Sequence, residues 1–480
     1  MNRRFVFHLL GNIFNITAVL MLLPMLVSIL YQETSWFAFF IAIIISAAVG
    51  IPLSYCCRTE DKVIYAKEGF IIVALAWICM SLTGALPFVI SGEIPSYIDA
   101  FFETVSGFTT TGASILNDVE ALSHGLLFWR SFTHWVGGMG VLVFIMAIIP
   151  ASTDRSIHIL RAEVPGPIVG KLVPKIRDTA KILYLIYIVL TIVEVIFLLL
   201  GGMPLFDSIV HAFGTAGTGG FGIKADSVAS YSPYLQWVIT VFMLIFGVNF
   251  NLYYLILIKK IKNAFRSSEL WVYIVISFAA TAVIALNTMN MYDSFGETLR
   301  NSSFQVASVI TTTGYSTVDF NNWPELSKTV LMILMFMGSC AGSTAGGFKI
   351  SRVILLMKMV KRHINGLIHP RAVGVVHFEG KKVEEPVLKG VASYLAIYLV
   401  CFVAVFVLLS FDGFDIITNL TAASACFNNI GPGLGAVGPA ASYADYSVFS
   451  KLVLSGAMLL GRLEIYPMLF VFSRFAWSKR

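Results

Sequence analysis

The sequence predicts an all-α polytopic membrane protein in which four units, each a span, a re-entrant pore loop and a second span, surround a central pore. Two extra N-terminal transmembrane helices precede them. Three observations point there. Of 480 residues, 57% are hydrophobic and 12% charged, against about 25% charged in a soluble domain. Apolar runs long enough to cross about 30 Å of hydrocarbon recur along the chain. A polar, glycine-centred stretch follows a short apolar segment four times, and repetition of this kind lets a ring close.

Ten runs have span length, near 5–30, 36–56, 68–90, 126–150, 181–201, 233–258, 270–290, 328–348, 388–411 and 447–473. Four shorter ones, near 96–108, 204–214, 295–310 and 413–428, cannot span, and each ends at a Gly-containing polar run. These read as re-entrant segments, which lipid tolerates only where protein or a water-filled cavity surrounds them. The first run is span-length and lacks a small-residue cleavage site, so it reads as a retained helix. The order divides the chain into two N-terminal helices (1–67) and four repeats, 68–150, 151–260, 261–360 and 361–480.

With the N-terminus cytoplasmic, 27 of the 33 Lys and Arg residues fall on inner segments. Only Arg130, Lys224, Arg300, Lys328 and Lys451 fall outside, and Arg462 lies within the membrane. The positive-inside rule therefore puts both termini in the cytoplasm. Acids such as Asp99, Glu103, Asp118, Glu120, Asp207 and Asp226 dominate the outer segments, which predicts a vestibule that concentrates cations. Basic patches confined to the inner side point to lipid headgroups or a cytosolic partner and away from nucleic acid. The six cysteines lack metal-ligand spacing and read as packing residues. No HExxH or GxSxG pattern appears, so no enzyme is expected.

Aligned on a glycine, the re-entrant segments end FETVSGFTTTGAS at Gly112, FDSIVHAFGTAGTG at Gly217, FQVASVITTTGYS at Gly314 and ASACFNNIGPG at Gly431. Four residues earlier stands a bulky apolar side chain: Phe108, Phe213, Ile310 or Phe427. Between them lie Thr110 and Thr111, Thr215 and Ala216, Thr312 and Thr313, and Asn429 and Ile430. A short helix entering from outside turns its partially negative C-terminal end toward the membrane centre. The loop after it can present carbonyls that replace the hydration shell of a potassium ion. Glycine suits such a loop because alternating left- and right-handed backbone is cheap only for glycine.

The third repeat departs after its glycine. LMILMFMGSCAGSTAGGFKIS carries Gly338, Gly342, Gly346 and Gly347 with Ser339, Ser343 and Thr344, too much glycine for an ordinary helix at about 1 kcal/mol each. Close helix packing through small residues is one reading and a broken helix the other. Arg462 and Glu464 are too costly in a span to lack partners, and residues two apart on a helix do not face each other, so each needs a different one. Glu194 and His134 read as packed, hydrogen-bonded groups, and Asn249 and Asn251 as candidates to line the path.

Over essentially its whole length the chain resembles the potassium-translocating subunit of the bacterial Trk/Ktr family, similar in order to plant HKT and fungal Trk proteins. FWRSFTHWVGGMG (128–140), GSCAGSTAGGFK (338–349) and GRLEIYP (461–467) favour the TrkH/TrkG branch over the shorter KtrB branch. The resemblance implies that Gly112, Gly217, Gly314 and Gly431, with the residues just before each, form a potassium filter. Glycine rather than serine at position 112 implies potassium selectivity. It further implies that Gly338, Gly342, Ser343, Thr344, Gly346 and Gly347 form an intramembrane gate contacted by Arg462. Potassium, and with it rubidium, is the implied transported ion, with no covalently bound cofactor. A homodimer in the bacterial inner membrane is implied, docking a cytosolic TrkA-like nucleotide-binding regulatory subunit on the basic segments 151–181 and 349–390. The alternative is K+/H+ or K+/Na+ symport, for which intramembrane acids are few, chiefly Glu194 and Glu464. The parallel fourfold repeat also differs from the two-part inverted design of many coupled carriers.

Overall fold

A computed structural model describes residues 3–59, 66–140, 176–371, 374–473 and 477. Residues 141–150 of the fourth expected span and 151–175 of the first long basic segment lie outside the described residues. Helix α1 (Arg3–Leu20) continues through Met21 into α2 (Leu22–Leu30) as one apolar span. It packs along α3 (Trp36–Cys56) where glycines let the backbones meet: a methyl group on Gly11 would sit 2.9 Å from the Gly50 carbonyl oxygen. Small residues permit this approach, which is how helices associate where lipid removes the hydrophobic drive.

Four units follow. The first is α4 (Ala66–Gly84) with its continuation α5 (Leu86–Ile90), the short α6 (Tyr97–Phe108) and α7 (His124–Gly138). The second is α8 (Ile176–Leu200), α9 (Leu205–Gly217), α10 (Pro233–Phe246) and α11 (Phe250–Leu257), with the one-turn α12 (Ile261–Ala264) leading out. The third is α13 (Ser268–Thr288), α14 (Phe295–Ile310), α15 (Glu325–Met337) and α16 (Ile350–Ile368). A hairpin of β1 (His377–Phe378) and β2 (Lys381–Lys382) leads to the fourth, α17 (Glu385–Leu409), α18 (Ile416–Phe427), α19 (Val448–Arg462) and α20 (Tyr466–Phe472).

The short helices α6, α9, α14 and α18 match the four re-entrant segments. Local capping starts three of them: Ser96, Ser294 and Asp415 accept from the amides of Asp99, Glu297 and Thr418, satisfying donors a helix end leaves open. Most of their side chains are buried, as backbone that stops at membrane depth requires.

The inner segments correct the expectation of ten continuous spans. Six helices among the described residues are long and apolar enough to cross, and these are the two N-terminal spans and the four outer helices. The run 233–258 is instead two helices bent by 89° at Gly247, Val248 and Asn249. The run 328–348 ends as a helix at Met337, and the run 447–473 breaks after Arg462, where Glu464 and Ile465 take φ of 57° and 66°. Hydropathy averages over such breaks. Only the break after Met337 was legible, because only there does glycine accumulate.

Candidate cation pathway

Every short helix ends alike. The amides of Thr111, Gly219, Thr313 and Ile430 bond back to the carbonyls of Ser106, Gly214, Ser308 and Ala425 at 2.8–2.9 Å. The residue before each is left-handed, with φ of 54° at Thr110, 55° at Thr218, 56° at Thr312 and 57° at Asn429. The residue after each is a left-handed glycine: Gly112 at 79°, Gly220 at 76°, Gly314 at 87° and Gly431 at 97°. Left-handed backbone costs a non-glycine residue about 1–2 kcal/mol. Its recurrence at Thr110, Thr218, Thr312 and Asn429 therefore marks a conformation that the surrounding packing enforces.

These glycines close a ring. A methyl group on Gly112 would overlap the Gly219 carbonyl oxygen, one on Gly220 that of Thr313, and one on Gly314 that of Ile430. On Gly431 it would lie 2.7 Å from the Thr111 oxygen, returning to the first unit. Each glycine thus faces the carbonyl that precedes the glycine of the next unit, so no side chain fits at any of the four.

The second unit corrects the sequence register by three residues. Thr215, Ala216 and Gly217 form the last turn of α9, and the ring positions belong to Thr218, Gly219 and Gly220. Gly217 packs behind the ring, where a methyl group would sit 2.6 Å from the His134 carbonyl carbon. The Thr215 hydroxyl donates to the His211 carbonyl, and Glu194 lies buried beside it. Phe213, aligned as the bulky anchor, packs on Phe128, Phe132 and Trp135 of α7. The true counterpart of Phe108 is Ala216.

Hydroxyls join the loops to their surroundings. Thr109 pairs with Thr111, and Thr311 with Thr313, at 2.8 Å between oxygens. Asn429 donates to the Thr111 hydroxyl at 2.9 Å and to the Met458 carbonyl at 3.0 Å. The Thr312 hydroxyl accepts from the Gly346 amide at 2.7 Å, so the third ring strand rests on the glycine-rich segment.

That segment, 338–349, is irregular backbone with left-handed Gly338, Gly342 and Gly347. Its contacts reach units two and four directly and unit one through Arg462. Gly342 accepts from the Phe250 amide at 3.0 Å, and Thr344 donates to the Phe246 carbonyl at 3.3 Å, both at the break in unit two. Ser343 turns inward to the Cys340 carbonyl, 2.7 Å away. Gly346 faces unit four so closely that a methyl group would lie 2.5 Å from the Asn428 oxygen. Arg462 donates to the Thr344 carbonyl at 2.8 Å and to the carbonyls of Gly137 and Gly138 at the end of α7. Glu464 pairs with Arg352, the separate partner its spacing required. Asn249 caps α11 by accepting from the Asn251 amide, with its oxygen against Gly342. His134 contacts the Gly107 carbonyl at 2.7 Å and is packed, as expected.

The sequence profile of the TrkH family, described as cation transport protein, matches residues 35–479. The chain belongs to the TrkH family. It is 36% identical to the Trk system potassium uptake protein TrkG of Escherichia coli K12, over 99% of this chain and 98% of that one. Identity is also 36% to the Trk system potassium uptake protein TrkH of Salmonella typhimurium, over the full length of both. The crystal structure of the potassium transporter TrkH from Vibrio parahaemolyticus superposes with a TM-score of 0.90 at 32% identity, covering all of each chain.

Outside the ring of this TrkH-family chain lies a cavity of about 160 Å³, lined by Gly112, Gly220, Gly314 and Gly431 among others. The charged residues lining it are Arg130 and Lys224. Buried Arg130 is neutralised by buried Glu103 and donates to the Gly222 carbonyl at 2.8 Å. Glu103 in turn accepts from Ser114 and the Ile115 amide at 3.0 Å, bracing the strand that leaves the first ring glycine. Asp118 and Glu120 stand exposed in the loop that follows this strand.

One residue that holds the glycine-rich segment escaped sequence reasoning altogether. Buried Glu269, at the start of α13, accepts from the Ala341 amide at 2.7 Å and the Ser351 amide at 3.1 Å, clamping the glycine-rich segment near both ends. Glu379 in the β1–β2 hairpin accepts from Ser267, Ser268 and the Glu269 amide at 2.9–3.2 Å. A lone Glu beside two serines gave no signal beyond a helix start.

Proposed function

We propose that this chain takes up potassium across the bacterial inner membrane through the ring of glycines and carbonyls, with segment 338–349 as the gate beneath it. The observation that carries this is the closed ring, in which four unlike loops converge on the same backbone conformation and no side chain fits. Carbonyls so presented replace the ion's hydration shell, and rubidium follows potassium. The filter residues are Thr110, Thr111, Gly112, Thr218, Gly219, Gly220, Thr312, Thr313, Gly314, Asn429, Ile430 and Gly431. Gate residues are Gly338, Gly342, Ser343, Thr344, Gly346 and Gly347, held by Arg462, whose fixed charge raises the barrier to a cation.

An inward potassium ion gains about 2.3 kcal/mol per 100 mV of inside-negative potential, so uptake needs no chemical step. Support for the uncoupled reading comes from the acids: Glu194 is buried beside Thr215 behind the ring, and Glu464 is paired with Arg352. Both termini are cytoplasmic in this reading. The functional unit is a homodimer regulated by a cytosolic TrkA-like nucleotide-binding subunit. Flux into liposomes at clamped potential tests the proposal. Movement without a proton or sodium gradient, reversing at the potassium Nernst potential, is expected. Strict dependence on either gradient would replace this reading with symport.

A further inference from the structure

The β1–β2 hairpin breaks a local rule. Phe378 pairs with Lys381, so Glu379 and Gly380 form a two-residue turn, and both are left-handed, with φ of 50° and 74°. Such a turn favours Asn, Asp or Gly at its first position. A glutamate there is strained, and strain of this kind persists only where the surroundings enforce it. The side chain supplies the reason. One carboxylate oxygen of Glu379 accepts from the Ser267 hydroxyl at 3.2 Å, the Ser268 hydroxyl at 2.9 Å and the Glu269 amide at 3.1 Å, across 110 to 112 residues of sequence. The first amides of a helix lack partners within it, and the helix dipole favours an anion beside them. Glu379 thus caps α13 from the hairpin, next to Ser267, which accepts from the Leu270 amide at 3.3 Å. The hairpin is itself seated: Val376, Phe378 and Val383 are buried against Leu355 of α16 and Leu388 and Val391 of α17.

We infer that Glu379 is a positioning residue for the gate, holding the Glu269 carboxylate on the amides of Ala341 and Ser351. The inference rests on segment 338–349 being the gate. The route is short, because Glu379 fixes the amide of Glu269 and the side chain of that same residue clamps the segment near both ends. A helix end without its cap frays. A frayed first turn of α13 carries Glu269 with it, so both clamp bonds loosen together. Leu355 gives the hairpin a second hold, since it lies in α16, the helix that leaves the segment.

The test uses the full-length protein without a regulatory partner, in nanodiscs for backbone hydrogen exchange and in liposomes for basal potassium flux. Glu379→Asn suits the turn better than the natural residue, but it is one methylene shorter and uncharged, so it keeps the hairpin and withdraws the cap. Exchange at Ala341 and Ser351 is expected to rise about 2- to 10-fold, the range one hydrogen bond commands. The Val383 amide, bonded to the Val376 carbonyl within the hairpin at 2.9 Å, keeps its protection, and basal flux rises. Glu379→Gln, which retains the reach and an acceptor, gives a smaller rise, and Glu269→Ala, which removes the clamp itself, sets the upper limit. Exchange at Ala341 and Ser351 that stays level or slows in Glu379→Asn overturns the inference, slowing being the sign that repulsion between the two carboxylates outweighs the cap. If Glu269→Ala raises flux while Glu379→Asn changes neither exchange nor flux, the inference fails and the gate stands. If exchange rises in both variants and flux in neither, the gate reading fails and the hold of Glu379 on the segment stands. Should Glu379→Asn also unprotect Val383, Glu379→Gln decides by the same two amides.

Discussion

Gly217→Ala and Gly220→Ala separate the register read from the sequence from the one in the structure. At position 220 the new methyl would overlap the Thr313 carbonyl oxygen and lie 2.9 Å from its carbon, nearer than side-chain carbons come to other atoms. Its left-handed backbone adds about 1–2 kcal/mol of strain. Relief comes only by moving a ring carbonyl or the ring strand itself. A distortion of about 1–2 kcal/mol in differential ion binding changes a flux ratio roughly 5- to 30-fold. At position 217 alanine gains about 1 kcal/mol of helix propensity but meets the His134 backbone, and overpacking costs about 1–3 kcal/mol. Gly217→Ala should therefore melt somewhat lower in detergent with its potassium-to-sodium ratio intact, while Gly220→Ala loses selectivity. Both are read by paired thermal melts and clamped liposome fluxes. A selectivity change in Gly217→Ala with none in Gly220→Ala would refute the three-residue shift.

Other perturbations follow from the contacts of the glycine-rich segment. Arg462→Met removes the charge and three donated bonds, each worth about 1.5–3 kcal/mol at most, so basal potassium flux without a regulatory partner should rise; unchanged basal flux would remove Arg462 from the gate. Thr312→Val strips the acceptor from the Gly346 amide, an unsatisfied buried donor costing about 1–3 kcal/mol, and faster backbone hydrogen exchange in 338–349 is the expected readout. Glu269→Gln keeps an acceptor but roughly halves its strength, and should raise exchange at Ala341 and Ser351 less than Glu269→Ala does. Arg130→Gln strands buried Glu103 at about 3–5 kcal/mol, so folded yield should fall, with partial recovery in the double variant carrying Glu103→Gln.

The sequence revealed what is encoded locally. The short helices were visible because each combines an apolar stretch too short to span with a polar run after it, and three carry their own capping residue. The ring register in unit two was hidden: AFGTAGTGGFG offers glycines at 214, 217, 219, 220 and 222, and local chemistry does not say where the helix stops. Matching Phe213 to Phe108 chose the wrong one, since the residue at the equivalent place in unit two is the small Ala216, which a search for a bulky anchor passes over. The breaks at 247–249 and after Arg462 were hidden as well, because tertiary bonds hold them, from Phe250 to Gly342 and from Glu464 to Arg352. The Glu269 clamp joins residues 72 and 82 apart in sequence, beyond any spacing rule. Arg462 and Glu464 were legible as residues in need of partners. Which partners was a property of the fold.

The most direct test of the account is to locate rubidium by its anomalous scattering in crystals of the full-length protein. Density on the axis of the ring, bounded by the carbonyl oxygens of Thr111, Gly219, Thr313 and Ile430, is the predicted result. Density that is absent from the ring while the same preparation conducts rubidium, or that lies against Gly217 behind it, would contradict it.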